Sequence, residues 1–238
     1  MPAEFFYTDR AALLANLRTA LVDQLQHGLA SAPRATLFLS GGASPAPLYE
    51  ALAAAPLPWE RIDAALVDER WVPATHPDSN ERLVRETLLK GAAAACRFTG
   101  MKSAHSLAGN EETAAVAECN RAYRTLPKPW SAALLGMGPD GHTASLFPQA
   151  TALQSILEAK TTCAAMHAPA GGAAGEHLER MTMTPHALLQ CDHLFLMITG
   201  RDKRLVYEKA RATKDQASMP ISIFLQQSAV PLTVFWSP

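Results

Sequence analysis

Gly138-Pro139-Asp140-Gly141-His142 sets a carboxylate and an imidazole two residues apart on a turn that directly follows the apolar run 132–135. Histidine is the side chain best suited to carry protons near neutral pH, and an acid this close can hold it in one tautomer. The glycines allow positive φ or close backbone approach, and Pro139 stiffens the turn. The chemistry to expect is general-base catalysis at a strand end, with the hydroxyl-bearing segment 143–146 reading as the start of a helix. No G-x-S-x-G elbow is present, so water is the expected nucleophile.

Three further clusters fall where predicted strands end. Ser40-Gly41-Gly42 can turn backbone N–H groups toward an anionic or hydroxylated ligand, or can be a plain strand-to-helix turn; it fits neither the Walker nor the dinucleotide pattern. Asp68-Glu69-Arg70 sets two acids beside an arginine, either as part of a site or as a solvated strand end. Lys203, in Gly200-Arg201-Asp202-Lys203, opens a helix and is either a ligand for an anion or a solvated lysine. Arg180 precedes Met181-Thr182-Met183-Thr184, where arginine and hydroxyls suit a phosphate, although an N-cap with a surface arginine reads the same way. His186, Cys191 and His193 lack zinc-motif spacing, so no metal and no cofactor is expected.

The elements that must position these residues alternate along the chain. Thr8-Asp9 caps a helix with Leu14, Leu17, Leu21 and Leu25 at helical spacing, ending near Gly28. A buried strand at 35–39 runs into Ser40-Gly41-Gly42 and a helix reaching residue 53. A strand at 62–67 ends at Asp68, and a helix begins after Asp78-Ser79-Asn80. A helix at 112–125 precedes the strand 132–135. Further strands are expected at 162–167 and 194–199, a helix at 204–212, and two closing strands at 221–225 and 232–236. Such alternation predicts an α/β fold, a mostly parallel sheet covered on both faces.

With 238 residues, 48% of them hydrophobic, the chain can bury a full core, and it reads as one domain over 1–238. A net charge of −1 argues against nucleic acid or an anionic membrane as partner. Cys96, Cys119, Cys163 and Cys191 form no C-x-x-C pair, no apolar run is long enough to span a membrane, and residues 1–10 lack a signal pattern. A cytoplasmic protein with reduced thiols is expected, monomeric or a small homo-oligomer.

Taken in order and spacing, these motifs resemble the 6-phosphogluconolactonase family. The match runs through Leu39-Ser40-Gly41-Gly42-Ala43-Ser44-Pro45, Val67-Asp68-Glu69-Arg70-Trp71-Val72-Pro73, Ser79-Asn80, the block from Gly136 to Pro148, Arg180-Met181-Thr182-Met183-Thr184 and Gly200-Arg201-Asp202-Lys203. It implies a metal-free hydrolase that opens 6-phosphoglucono-δ-lactone. The implied fold is the three-layer α/β/α arrangement shared with glucosamine-6-phosphate deaminases and ribose-5-phosphate isomerases. It further implies His142 as the general base with Asp140 beside it, Arg70 and Lys203 on the phosphate with Arg180 assisting, and Gly41, Gly42, Asp68 and Asn80 at substrate. The Gly/Ala-rich segment before Arg180 is longer than the family pattern. The related deaminases carry a phenylalanine-asparagine-glutamate segment where this chain has Ser145-Leu146-Phe147, so the acid of their chemistry is missing here.

Overall fold

The computed structural model describes residues 2–238. In chain order its elements are β1 (Ala3–Phe6), α1 (Arg10–Ser31), β2 (Ala35–Leu39), α2 (Ala46–Ala53), β3 (Ile62–Leu66), β4 (Asp68–Arg70), α3 (Asn80–Thr87), β5 (Arg97–Thr99), α4 (Glu112–Arg124), β6 (Trp130–Gly136), α5 (Leu153–Glu158), β7 (Cys163–His167), β8 (Glu179–Met183), α6 (Pro185–Leu188), β9 (Leu194–Thr199), α7 (Arg201–Ala212), α8 (Ser222–Gln226) and β10 (Leu232–Ser237).

Seven strands form one sheet in the order β1-β10-β9-β6-β2-β3-β5, every neighbouring pair parallel. A parallel sheet covered on both faces needs strands that are apolar on both faces. β2 and β3 come close to that demand, with all five residues of each buried and only Thr36 and Asp63 polar, the latter paired with Arg34. Helices flank the sheet in the expected three-layer arrangement. Helix α1 starts where Asp9 Oδ1 accepts the Ala12 N–H at 2.8 Å. Leu13, Leu17, Leu21 and Leu25 then follow at four-residue intervals and are completely buried, each contributing roughly 1.5–3 kcal/mol. The helix does not stop near Gly28 but runs on to Ser31. Gly28 is instead a point of close approach, because a Cβ there would lie 2.2 Å from Ser131 Oγ on β6.

Chain order reverses between β2 and β6. From β2 the chain works outward to β3 and β5, and from β6 it works the other way to β9 and β10. Their carboxyl ends therefore flank the crevice where open α/β sheets bind ligands. Two sequence-predicted strand ends, Ser40-Gly41-Gly42 and Gly138-Pro139-Asp140-Gly141-His142, meet there.

Several expectations are corrected. Asp68-Glu69-Arg70 is not a loose strand end, and the strand at 163–167 is not in the main sheet; with β8 they form a second, antiparallel sheet in the order β4-β8-β7. The junction is Val67, whose N–H donates to Leu39 O of the main sheet while its carbonyl accepts the Met183 N–H of the small one. Residues 221–225 are not a strand: α8 covers Ser222–Gln226, with the Phe224 and Leu225 N–H groups both donating to Ile221 O. A short apolar run fits either state, and here Pro220 leads the chain into a helical turn. No helix follows His142. Thr143 and Leu146 form an isolated bridge, Ala144 and Gln149 have φ of 48° and 62°, and the next helix, α5, begins at Leu153. Among the described residues no helix is long and apolar enough to cross a membrane.

Candidate active site

The turn after β6 is shaped around its imidazole. Asp140 Oδ1 lies 2.5 Å from His142 Nδ1 and also accepts the His142 N–H at 3.1 Å. The His142 ring rests against Gly138, where a Cβ would come within 2.1 Å of Cε1 and Nδ1, so only glycine fits. Gly141 has φ +81°, which ordinary side chains rarely adopt, and it closes the turn by donating to Gly138 O. The Phe147 ring, 4.4 Å from the imidazole between centroids, covers its other side. Burial works against the charge on Asp140, but the hydrogen bond and positive charge offered by His142 outweigh it and hold the carboxyl below its ordinary range. With Nδ1 committed to Asp140, Nε2 is the ring nitrogen left for chemistry.

His142 lines a cavity of about 230 Å³ at the carboxyl end of the main sheet, together with Gly41, Gly42, Asp68, Arg70, Asn80, Arg180 and Lys203. Eight of the nine residues singled out from the sequence thus share one wall, and Asp140 stands behind His142. They come from five separated stretches of chain: the turn after β2, strand β4 with the start of α3, the turn after β6, strand β8, and the first turn of α7.

The cations form no ion pair among the described residues, although Asp68, Glu69 and Asp78 lie near enough to Arg180 to favour its charge. Arg70 and Arg180 are directly opposite one another in the β4–β8 ladder, where like charges repel. Neither forms an ion pair among the described residues. Arg70 donates to Asp78 O at 2.6 Å, and Arg180, only 4% exposed, donates to Ala174 O at 2.6 Å and His177 O at 2.7 Å. Lys203 has neither a hydrogen bond nor an ion pair there, and burial pulls its ammonium below the ordinary value. Buried cations left unpaired are costly, and an anionic ligand is what relieves them.

The same cavity also offers donors and acceptors. The N–H groups of Gly41 and Gly42 donate to no acceptor among the described residues. Asn80 is 1% exposed and gives its Nδ2 hydrogens to Asp68 O at 2.8 Å, while its Oδ1 has no partner. Gly41 must be glycine, because a Cβ there would lie 1.8 Å from that same Oδ1.

Two further residues, named in the sequence only as parts of longer motifs, support the site. Ser145, fully buried, donates from Oγ to Asp68 Oδ2 at 2.6 Å and ties the histidine loop to the strand that carries Arg70. Glu69 accepts from Arg70 N, Ser79 Oγ, Asn80 N and Glu81 N at 2.7–3.0 Å, capping α3 and fixing Asn80. Burial pushes its carboxyl up to about 7 despite those donors. The only hint of Ser145 was a hydroxyl close behind His142; that of Glu69 was its place in the charged cluster Asp68-Glu69-Arg70 directly after an apolar run. His186, Cys191 and His193 are not drawn together, and His193 Nε2 pairs with Thr233 Oγ1 at 2.8 Å.

Comparison with known proteins bears on the family and the fold. A 6-phosphogluconolactonase of Pseudomonas aeruginosa is 40% identical over 225 residues, covering 93% of this chain and 89% of its own. The crystal structure of a 6-phosphogluconolactonase from Shewanella baltica superposes with a TM-score of 0.92 at 32% identity, over 100% of this chain and 98% of that one. A monomeric glucosamine-6-phosphate deaminase shares the fold alone, with a TM-score of 0.76 at 15% identity over 99% and 97% of the two chains. Residues 8–236 match the family model of glucosamine-6-phosphate isomerases and 6-phosphogluconolactonase, and the chain belongs to that family.

Proposed function

We propose that this protein hydrolyses 6-phospho-D-glucono-1,5-lactone to 6-phospho-D-gluconate, a reaction of the oxidative pentose phosphate pathway. The observation that carries this reading is the convergence of three cations that form no ion pair among the described residues, Arg70, Arg180 and Lys203, on the cavity that also holds the Asp140–His142 pair. An anionic group is wanted at one end of the ligand and proton transfer at the other.

In this mechanism His142 Nε2 takes a proton from a water set against the lactone carbonyl, while Asp140 fixes the tautomer and favours the imidazolium that forms. The free N–H groups of Gly41 and Gly42 receive the developing oxyanion. Collapse of the tetrahedral intermediate breaks the bond to the ring oxygen, which takes its proton from His142. No covalent enzyme intermediate is needed. General-base help of roughly 10²–10⁴-fold together with positioning suffices for an ester that water already opens unaided. Asp68 and Asn80 take part by holding sugar hydroxyls, the buried Asn80 Oδ1 being an acceptor without a partner among the described residues. Residues 1–238 act as one domain in this reading, supported by the single cavity that both sheets line. The cytoplasm is the setting such a reaction implies, and the four free, buried thiols suit it.

The test is a coupled assay with freshly generated lactone, read above its spontaneous opening. The expected result is fast hydrolysis that His142→Ala abolishes in kcat with KM little changed. Wild-type protein no faster than the spontaneous background would overturn the reading, as would release of ammonia from glucosamine 6-phosphate in its place.

A further inference from the structure

Outside the cavity, His76, Asp78 and His177 bring two imidazoles and one carboxylate together from loops about a hundred residues apart. Asp78 Oδ2 is 2.9 Å from His177 Nε2 and 3.7 Å from His76 Nδ1, and the three potential ligand atoms all lie within 4.8 Å of one another. The two rings meet edge to face with centroids 4.9 Å apart. All three side chains are partly open to solvent, so an ion has a way in.

We propose that this cluster is a binding site for a divalent cation of the zinc and nickel kind. Two imidazole nitrogens and a carboxylate oxygen form the donor set such borderline ions prefer, whereas magnesium and calcium take oxygen ligands. Bonds of about 2.0–2.2 Å to a tetrahedral centre require ligand atoms a little over 3 Å apart, and the separations here straddle that distance. Closing the site costs only a modest rearrangement, in which His76 Nδ1 gives up the 3.1 Å hydrogen bond it accepts from the Asp78 N–H. Three protein ligands leave one position for water.

The location gives the ion a consequence. Asp78 O accepts from Arg70 Nη1, and His177 O accepts from Arg180 Nε. The two loops that hold the ligands therefore also hold the two arginines of the cavity. His177 lies just beyond the Gly/Ala-rich segment 168–175, of which Ala173 lines the cavity. A bound cation staples that segment to the loop between β4 and α3 and fixes the carbonyls against which both guanidiniums rest. It acts as a structural clip at the rim of the site and takes no part in the chemistry.

The experiment is calorimetric titration of the chelator-treated, full-length protein with zinc chloride, repeated with nickel chloride and with magnesium chloride. The expected result is one zinc or nickel ion per chain and no heat from magnesium. Thermal unfolding should shift upward by roughly 5–10 °C when zinc stands about 100-fold above its dissociation constant. Limited proteolysis within residues 168–178 should slow in the same samples. His177→Ala and His76→Ala should each lose the binding heat and the thermal shift, while their metal-free melting temperatures and circular dichroism show that they fold. No zinc binding by the wild type, or binding and thermal shift unchanged in both variants, would overturn the proposal. Because the readouts are stoichiometry, melting and cleavage, they stand or fall independently of lactone hydrolysis.

Discussion

Replacing Asp140 by asparagine isolates the electrostatic part of the proposed mechanism from its geometry. The side chain keeps its size, and its carbonyl oxygen can still accept from His142 Nδ1–H, so the turn around Gly138 is preserved. What disappears is one negative charge hydrogen-bonded at 2.5 Å to the ring that becomes cationic in the transition state. Two unit charges with centres about 4 Å apart interact by about 4 kcal/mol at an effective dielectric of 20. The Asp140 side chain is 33% exposed and that of His142 18%, so solvent screening reduces this to about 2–3 kcal/mol. That is a loss of roughly 30- to 150-fold in kcat. KM for the phosphorylated lactone should change little, since Asp140 sits behind the imidazole and the cations lie elsewhere on the wall. Stopped-flow or coupled kinetics with fresh lactone, with the spontaneous rate subtracted, measures both constants. A kcat within threefold of wild type would refute the reasoning, because a dyad this close cannot be catalytically idle if His142 is the base. A change confined to KM would refute it too, by making Asp140 a substrate ligand.

Other consequences follow from the same geometry. Lys203→Met should raise KM for the phosphorylated lactone about 10- to 100-fold, the worth of one charge-assisted bond, and leave hydrolysis of the unphosphorylated lactone unchanged in a side-by-side assay. Gly41→Ala should cost about 1–3 kcal/mol of stability in urea melts and displace the Asn80 carboxamide, since its Cβ has no room 1.8 Å from Oδ1. Glu69→Gln turns an NH₂ group toward two donors and should lower Tm by about 5–10 °C in scanning calorimetry. The Glu69 carboxyl also sets a pH dependence, because it stands near 7 when folded against about 4.5 when unfolded. The folded state holds that proton more tightly, so the group favours folding below pH 4.5. That benefit, of order 3 kcal/mol, is lost as pH rises toward 7; urea melts across this range should show a slope that Glu69→Gln flattens.

The legible parts of the fold were those with strong periodicity or strong punctuation. Helix α1 showed itself through leucines at helical spacing, although its buried face takes Leu13 and not the expected Leu14, and the central strands through apolar runs leading into turns. The site was legible because a parallel sheet gathers its carboxyl ends, so polar residues just past apolar runs were bound to converge. Less visible was everything set by pairing between distant segments. Asp68-Glu69-Arg70 reads as a solvated end until β8 arrives as its partner, more than a hundred residues later. Arg180 looks like a surface arginine until that pairing buries it. The run 221–225 carries too few residues to show a helical period, and its state is decided by Pro220 and by the bond from the Ile221 N–H to Gly141 O. The segment after His142 was misread for a related reason. Thr143 and Ser145 turn inward, to Gly136 O and Asp68, where a hydroxyl after a glycine turn ordinarily caps a helix.

The facing arginines of β4 and β8 bear on what happens after the bond breaks. Opening a lactone leaves a phosphate at the far end of the molecule untouched, so under the proposed function a grip made of Arg70, Arg180 and Lys203 would hold product as firmly as substrate. Release must be driven from the other end, where hydrolysis creates a carboxylate that the substrate lacked. Under the proposed function that new charge forms across the imidazole from Asp140, and the repulsion between the two carboxylates would loosen the product against its anchored phosphate. The enzyme so built is open to inhibition by any small dianion that fits the grip without acquiring the expelling charge.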